Sequence, residues 1–214
     1  MDDSRQLNIH DEFRNLTTQE ITDNVKQNTL PYAIMAMNIV SDLNTSNMIR
    51  SAHLCGCNDI VIFGRKNYDR RGCVGTQNYT KITKVSAIIH PDIINFELLN
   101  KDIVDHILDV DIFTTFIDDN NYLPVFIEQD ITSIPATINN IKKILIDSTK
   151  RNKKPIFIFG NETFGIPKNI LESRQHYETS YTLELQQMGC IRSFNVANSC
   201  SILCYKIMEI FNEL

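Results

Sequence analysis

The apolar residues of this 214-residue chain fall largely into short continuous runs, with polar or amphipathic stretches between them. Apolar residues fill these runs instead of alternating with polar ones, which is typical of strands covered on both faces. The predicted strands cover residues 32–40, 59–64, 85–90, 122–128, 155–160 and 181–185.

The intervening stretches place apolar residues three and four positions apart, which is the spacing of a helix packed on one side. The predicted helices cover residues 45–55, 96–108, 138–150 and 194–211, with a further helix near 17–27. Alternating strands and helices predict an α/β fold with a parallel sheet flanked by helices.

A few residues mark where single elements should begin or weaken. Asn44 is a good N-cap for the helix over 45–55, and Gly56 suits the position just past its end. Pro167 fits the first turn of a short helix, because that position needs no backbone N–H. Pro124 should weaken the interior of the 122–128 strand.

The first 30 residues are polar and end at Pro31. They predict a partly ordered N-terminal arm over 1–30, followed by one domain over 31–214. The N-terminus is acidic and polar, unlike a secretory signal, and no apolar run reaches the ~18 residues needed to cross a bilayer. We therefore expect a cytoplasmic protein that does not associate with membranes.

Charge is distributed unevenly along the chain. The net charge of −5 argues against indiscriminate nucleic-acid binding. Residues 65–84 and 142–154 are nevertheless strongly basic, whereas 92–130 is acidic. This asymmetry permits a basic face that follows phosphates, although separate solvated faces would give the same pattern.

Several chemistries lack their sequence signatures. None of the six cysteines forms a C-x-x-C pair, so we expect buried free thiols and no metal site. After Gly160-x4-Gly165 come Ile166 and Pro167, where a nucleotide-hydrolysing P-loop needs Lys and Ser/Thr. Neither G-x-G-x-x-G nor G-x-S-x-G occurs, which excludes a dinucleotide fingerprint and argues against a hydrolase triad.

Three loops at predicted strand ends carry clustered polar residues. The loops are 42–50, 160–167 and 186–195, and in an open α/β sheet such loops gather along one edge. Their hydrogen-bonding groups suit holding a polar ligand and orienting a hydroxyl better than covalent catalysis. The residues concerned are Asn44, Arg50, Glu162, Arg192, Ser193 and Asn195.

The same loops carry a recognisable series of motifs. Asn44-x5-Arg50-Ser-Ala, the segment 158–167 (IFGNETFGIP) and the segment 188–197 (MGCIRSFNVA) occur in this order. Together they resemble the three motifs of the SpoU (TrmH-type) branch of the SPOUT RNA methyltransferases, over roughly residues 33–210. The resemblance implies a deep trefoil knot in the C-terminal part of the α/β fold and a homodimer. It also implies methyl transfer from S-adenosylmethionine to a ribose 2′-hydroxyl of tRNA or rRNA.

The resemblance also assigns roles to individual residues. The catalytic set it implies is Asn44, Arg50, Glu162, Ser193 and Asn195. The cofactor-binding set it implies is Glu128, Gly160, Leu185, Met188, Gly189, Ile191 and Ser193. Two positions depart from the family pattern, since Gln186 stands where Pro is usual and Phe194 where Leu is usual.

Arginines dominate the expected RNA contacts. The loop 64–79 combines cationic side chains with tyrosines, which bind phosphates and stack on unpaired bases, or else it is a mobile solvated loop. Arginine keeps its proton to a pH above about 12, so a phosphate clamp suits Arg50 better than the role of a base. The predicted RNA-binding residues are Arg50, Arg65, Arg70 and Arg71.

Two alternatives stay open on sequence grounds. Gln186 and the acidic balance also fit an RNA-binding or assembly protein that keeps the fold without catalysis. Methylation of a base instead of a ribose is disfavoured, because the resemblance implies that base-modifying relatives use other motifs.

Overall fold

The computed structural model describes residues 8–64, 67–89 and 107–213. Within them, seven parallel strands form one sheet in the order β3-β2-β1-β6-β4-β7-β5. The strands are β1 (Ala33–Met37), β2 (Asp59–Phe63), β3 (Lys81–Val85), β4 (Tyr122–Ile127), β5 (Ile134–Pro135), β6 (Lys154–Phe159) and β7 (Tyr181–Glu184). The predicted fold class, a parallel sheet flanked by helices, is confirmed.

Six α-helices of the described part of the chain surround this sheet. They are α1 (Thr18–Gln27), α2 (Asp42–Leu54), α3 (Val110–Asp119), α4 (Ile138–Lys150), α5 (Lys168–Glu172) and α6 (Val196–Asn212). Short 3-10 helices lie at Asp11–Phe13, Arg70–Cys73, Thr76–Asn78 and Ser173–His176. No helix of the described residues is both long and apolar enough to cross a membrane.

Successive strand residues point to opposite faces of the sheet, and each face has its own core. Ile34 and Phe157 belong to the face covered by α2, α4 and α6. Met35 and Phe126 belong to the face covered by α3 and α5. Both faces are buried, which explains why the strands are continuously apolar in sequence.

The amino edge of the sheet holds a charge cluster around the buried Asp59. Asp59 accepts hydrogen bonds from the Tyr122 hydroxyl at 2.7 Å and the Lys154 ammonium at 2.8 Å, and the Lys81 ammonium lies 3.3 Å away. Burial would raise the pKa of Asp59, but the bonds from Lys154 and Tyr122 outweigh it and hold the pKa below its ordinary value. This cluster joins β2, β3, β4 and β6.

Several expected elements begin or end elsewhere. The helix predicted to start after Asn44 begins at Asp42 with Ser41 as its N-cap, so Asn44 is not the cap. Gly56, with a φ of 78°, lies just past that helix as expected. The strand predicted at 85–90 is instead β3, and Pro167 is the N-cap of α5 rather than a first-turn residue.

Other differences concern the middle of the chain. The predicted helix over 96–108 lies mostly outside the described residues, and Leu108 forms an isolated bridge with Ile88. The sequence prediction missed α3 and β5. Pro124 is tolerated inside β4 because β7, the neighbour on one side, pairs with β4 only from Val125 onward.

The prediction that the cysteines are buried free thiols is confirmed at five positions and wrong at one. Every cysteine is a free thiol, and all but one are buried in the core. The exception, Cys190, is exposed in the loop that follows β7.

Candidate active site

A cleft of roughly 390 Å³ opens at the carboxyl edge of the sheet. Its walls come from the ends of β4, β6 and β7 and from the residues just before α6. They comprise residues 127–129, 159–165, 183–185 and 192–196, together with Ser199. Two of the three polar loops that the sequence predicted to gather at one edge, 160–167 and 186–195, therefore line this cleft, and the loop 42–50 does not.

The loop after β6 folds tightly on itself. Asn161 and Gly165 exchange backbone hydrogen bonds of 2.9 Å, and Gly165 has a φ of 73° that favours glycine. A Cβ on Gly160 would lie 2.2 Å from the carbonyl carbon of Gly165, so only glycine fits there. The Asn161 side chain accepts from the N–H groups of Thr163 and Phe164 and donates to the Asn38 carbonyl.

Glu128, at the end of β4, fixes the far side of the same loop. Its carboxylate accepts from the Ile166 N–H at 2.8 Å and from the Gln129 N–H at 2.9 Å. A Cβ on Gly165 would lie 2.3 Å from that carboxylate. Glu128 therefore lines the cleft and also positions the loop 160–166.

Glu162 joins this loop to the start of α2. Its carboxylate accepts from the backbone N–H groups of Val40 at 2.9 Å and Ser41 at 3.0 Å, and from the Asn44 amide at 2.8 Å. The Ser41 side chain makes no capping bond. Glu162 therefore satisfies backbone donors at the helix entry, where a negative charge is also favoured by the helix dipole.

Asn44 extends this connection to the third loop. Its side-chain oxygen accepts from the Asn195 amide at 3.1 Å. The Asn195 oxygen in turn caps α6 by accepting from the N–H groups of Ala197 and Asn198. Glu162, Asn44 and Asn195 thus connect all three polar loops through direct hydrogen bonds.

Arg50 and Ser193 have a different character from this network. Ser193 is exposed in the cleft wall, and Arg50 is exposed on α2 outside the cleft lining. Neither side chain makes a hydrogen bond or an ion pair within the part of the chain that the structure describes. Both groups are therefore available to a ligand.

The loop 186–192 stands open beside the cleft. Two glutamine side chains, of Gln129 and Gln187, donate to the Arg192 carbonyl and tether the end of the loop. The side chains of Met188 and Ile191 are 104% and 74% exposed. These residues and Gly189 lie outside the cleft lining, while Leu185 belongs to it.

The basic loop packs beside the start of α2. A Cβ on Gly72 would lie 2.6 Å from the Ser46 side chain, so the two segments are in close contact. Arg71 is exposed and pairs with Asp69 at 2.6 Å, and Arg70 is exposed. Arg65 lies outside the described residues.

An aromatic side chain adds to this basic loop. The Lys84 ammonium lies 5.0 Å from the centre of the Tyr68 ring, within cation–π distance. The arrangement provides cations and a ring next to the helix that carries Arg50.

Sequence reasoning missed several residues of the site. Asn161 and Gln129 organise the cleft, yet neither was predicted to take part. Asn161 had a detectable signal, since asparagine after a buried strand commonly accepts from nearby backbone N–H groups. Gln129 had none, because its partner Arg192 lies 63 positions away.

Comparison with known proteins places this geometry in a family. The profile of the SpoU rRNA Methylase family matches residues 31–205 of this chain. A Listeria innocua protein assigned as a tRNA (cytidine(34)-2′-O)-methyltransferase is 30% identical over 64 residues. That match spans 30% of this chain and only 36% of the Listeria protein.

Solved structures resemble the whole fold at low sequence identity. The TrmH/SpoU tRNA modifying enzyme of A. aeolicus has a TM-score of 0.63 and 14% identity, covering 92% of this chain and 85% of its own. The AdoMet-bound rRNA methyltransferase of Sinorhizobium meliloti has a TM-score of 0.56 and 16% identity, with coverages of 91% and 60%. These similarities show a shared fold.

Proposed function

Because the chain belongs to the SpoU rRNA Methylase family, we propose that it methylates a ribose 2′-hydroxyl of tRNA or rRNA, with S-adenosylmethionine as the methyl donor. One observation carries this proposal beyond family membership. The three motif loops are joined by the hydrogen bonds of Glu162, Asn44 and Asn195 beside a cleft.

The cleft suits the cofactor in size and in chemistry. Its volume of roughly 390 Å³ falls in the range of about 300–1,000 Å³ typical of small-molecule sites. Leu185 supplies an apolar wall, while Gly160 and Ser193 offer backbone and hydroxyl groups. When bound, S-adenosylmethionine would supply the activated methyl group.

We propose that the loop 186–192 covers this cofactor. Covering an exposed apolar side chain with a ligand lowers the free energy, and Met188 and Ile191 are large apolar side chains that this loop exposes. Gly189 has no heavy atom within 4 Å of a Cβ placed on it, so the loop has room to move. Gln186 is not among the residues that line the cleft, so its departure from the family pattern lies outside it.

Arg50 has the properties of a phosphate clamp. Its side chain is exposed, and the planar guanidinium presents N–H donors that match the geometry of a phosphate. Bound to the RNA phosphate next to the target ribose, it would orient the 2′-hydroxyl without accepting its proton. Arg70 and Arg71, with Arg65 in the same loop, would bind phosphates further along the RNA.

A homodimer and a knotted C-terminal segment are further parts of the proposal. Leu54 on α2 and Tyr205 on α6 are 64% and 53% exposed. The two helices pack together through a 2.8 Å hydrogen bond between Ser51 and Ser201, so their apolar side chains offer a surface for a second copy. Sedimentation at micromolar concentration tests this surface, and a Leu54→Glu, Tyr205→Glu variant should sediment as a monomer.

We place the knot in the loops 160–167 and 185–195, within a catalytic unit over 31–214 to which 1–30 adds an arm. The cytoplasm, where tRNA and rRNA are found, is the proposed location.

Calorimetry and methyl transfer test the function together. The chain should bind S-adenosylmethionine and transfer its labelled methyl group to unfractionated tRNA or rRNA. An RNA-binding protein without catalysis would bind RNA with no cofactor and no transfer, and that result would overturn the proposal.

A further inference from the structure

A second concave surface lies at the opposite edge of the sheet from the cleft. This groove, of roughly 720 Å³, is bounded by the end of α1, by α4, by the end of α6 and by the turns before β4 and β6. The six-residue strand β4 separates it from the cleft, a distance of about 20 Å at ~3.3 Å per residue.

Lysines surround the groove, although the chain carries a net charge of −5. They are Lys26, Lys142, Lys153 and Lys154, and none of the described residues that line the groove is acidic. Lys26 pairs with Asp23, and Lys154 pairs with Asp59.

The other two lysines carry the argument for an anionic ligand. Lys142 and Lys153 are half-buried, and their ammonium groups make no hydrogen bond or ion pair within the described ranges. With no such partner in the described ranges, these two cations in one concavity raise the local concentration of anions.

Apolar side chains also line the groove, together with uncharged polar residues. Leu30 and Ile146 contribute aliphatic surface, and the half-buried Phe211 contributes an aromatic ring. An inorganic anion would leave this surface unused. Unpaired nucleotides use both parts, because bases lie on apolar or aromatic side chains while phosphates meet lysines.

Hydrogen bonds hold the rim of the groove in shape. Asn121 and Asn152 both adopt a φ of 53°, and the Asn121 amide donates to the Asn152 carbonyl at 2.6 Å. The Lys154 N–H donates to the Asn121 carbonyl at 3.1 Å. The turns before β4 and β6 therefore form one unit. Because these turns are already ordered, a ligand that binds here does not lose free energy by ordering them.

We propose that this groove binds an unpaired segment of the substrate RNA, about 20 Å from the ribose that is methylated. The choice of RNA as the ligand rests on the proposed function. The enzyme would then bind RNA at both the carboxyl and the amino edge of its sheet. A short fragment that reaches only the cleft would therefore bind more weakly than a longer RNA.

Two double charge reversals, in α4 and the turn that follows it for the groove and in α4 alone for the control, test this proposal. Lys142→Glu with Lys153→Glu alters the groove, whereas Lys143→Glu with Lys150→Glu makes the same charge change at exposed positions outside its lining. At about 0.15 M salt the screening length is about 8 Å, which limits the long-range effect of the control. The probes are a fluorescein-labelled 12-nucleotide oligouridylate and unfractionated tRNA.

The groove variant should bind both probes about tenfold more weakly, and its slope of log affinity against log salt should fall by about 1.4, or about 0.7 for each phosphate contact. The control variant should stay within about twofold of the unaltered chain. Equal losses in both variants, or in neither, would overturn the proposal. So would equally tight binding of a labelled polyglutamate peptide, or no binding of either probe by the unaltered chain.

Calorimetry with S-adenosylmethionine and a melting curve separate this inference from the proposed function. Unchanged cofactor binding and melting temperature show that the groove variant is folded with an intact cleft. If the unaltered chain transfers no methyl group but the two variants still differ in RNA binding, the proposed function fails and the groove stands.

Discussion

The two edges of the sheet use polar side chains in different ways. At the amino edge, Asp59 is buried and bound by Tyr122 and Lys154. At the carboxyl edge, Glu162 and its partners bond to one another, whereas Ser193 in the cleft wall and Arg50 further along α2 make no such bonds within the described residues. The first arrangement holds strands together, and the second leaves groups available for a ligand.

This difference separates stability from reactivity. A buried ion pair whose partner is removed destabilises the whole fold, because the remaining charge stays buried. An exposed group that meets only a ligand contributes little to folding. Substitutions at the two edges should therefore affect different measurements.

Arg50→Ala should have the largest effect on activity. We expect methyl transfer to fall by about 10²- to 10³-fold, as when a group that acts on the transition state is removed. The free energy of unfolding should change by less than about 0.5 kcal/mol, because Arg50 is exposed. Asn47→Ala, exposed one turn earlier on α2, is the control and should leave transfer unchanged.

Asp59→Asn should have the largest effect on stability. It leaves the Lys154 ammonium without its carboxylate, and we expect a loss of about 3 kcal/mol in denaturant unfolding. Asp118→Asn, which weakens an exposed pair with His176, should cost less than about 1 kcal/mol. Equal losses would contradict the contrast between buried and exposed charges.

The pH dependence of stability tests the role of Asp59 further. The pKa of Asp59 lies below its ordinary value, so its contribution is complete above the unfolded pKa of about 3.9 and is lost as pH falls through the folded pKa. The stability gap between the unaltered chain and Asp59→Asn should therefore narrow below about pH 4. A gap that stays constant down to the acid transition would argue against an ionised Asp59.

Glu162→Gln should affect both measurements, since Glu162 belongs to the scaffold of the site. The substitution weakens the hydrogen bonds that the side chain accepts from the N–H groups of Val40 and Ser41. We expect the free energy of unfolding to fall by about 2 kcal/mol and S-adenosylmethionine to bind more weakly. Glu172→Gln, in an exposed pair with Lys168, should change neither. A stable Glu162→Gln variant with full cofactor affinity would show that the carboxylate does not hold the site together.

Asn195 offers the finest division of roles. Asn195→Ala removes the N-cap of α6 and should cost about 1 kcal/mol. Asn195→Asp still caps the helix but cannot donate to Asn44, so stability should be kept while transfer falls severalfold. If both variants lose only stability, the link to Asn44 has no role in the reaction.

The sequence allowed the sheet to be predicted because buried parallel strands are apolar throughout. The helix α3 escaped detection because Ile112, Thr115 and Phe116 have modest helix propensity, and the helix is fixed by the burial of Phe113 and Ile117. The N-terminus of α2 was misplaced for a related reason. Its entry is satisfied by Glu162, 121 to 122 positions away from Ser41 and Val40, which no local pattern contains.

The motif residues were identified from sequence, but their division of labour was not. Glu162, Asn44 and Asn195 were predicted to be catalytic, and that role stays a prediction. The structure shows that they connect loops distant in sequence. Only the folded chain distinguishes such groups from exposed ones such as Arg50, since both kinds are polar residues in loops or helix ends.

The position of the transferred methyl group tests the central claim most directly. RNA labelled by this chain from S-adenosylmethionine is hydrolysed in alkali, which cleaves next to every unmodified 2′-hydroxyl. We predict that the label appears in alkali-resistant dinucleotides, and that Arg50→Ala abolishes it. Label in single nucleotides, which indicates base methylation, or no label at all would contradict the account.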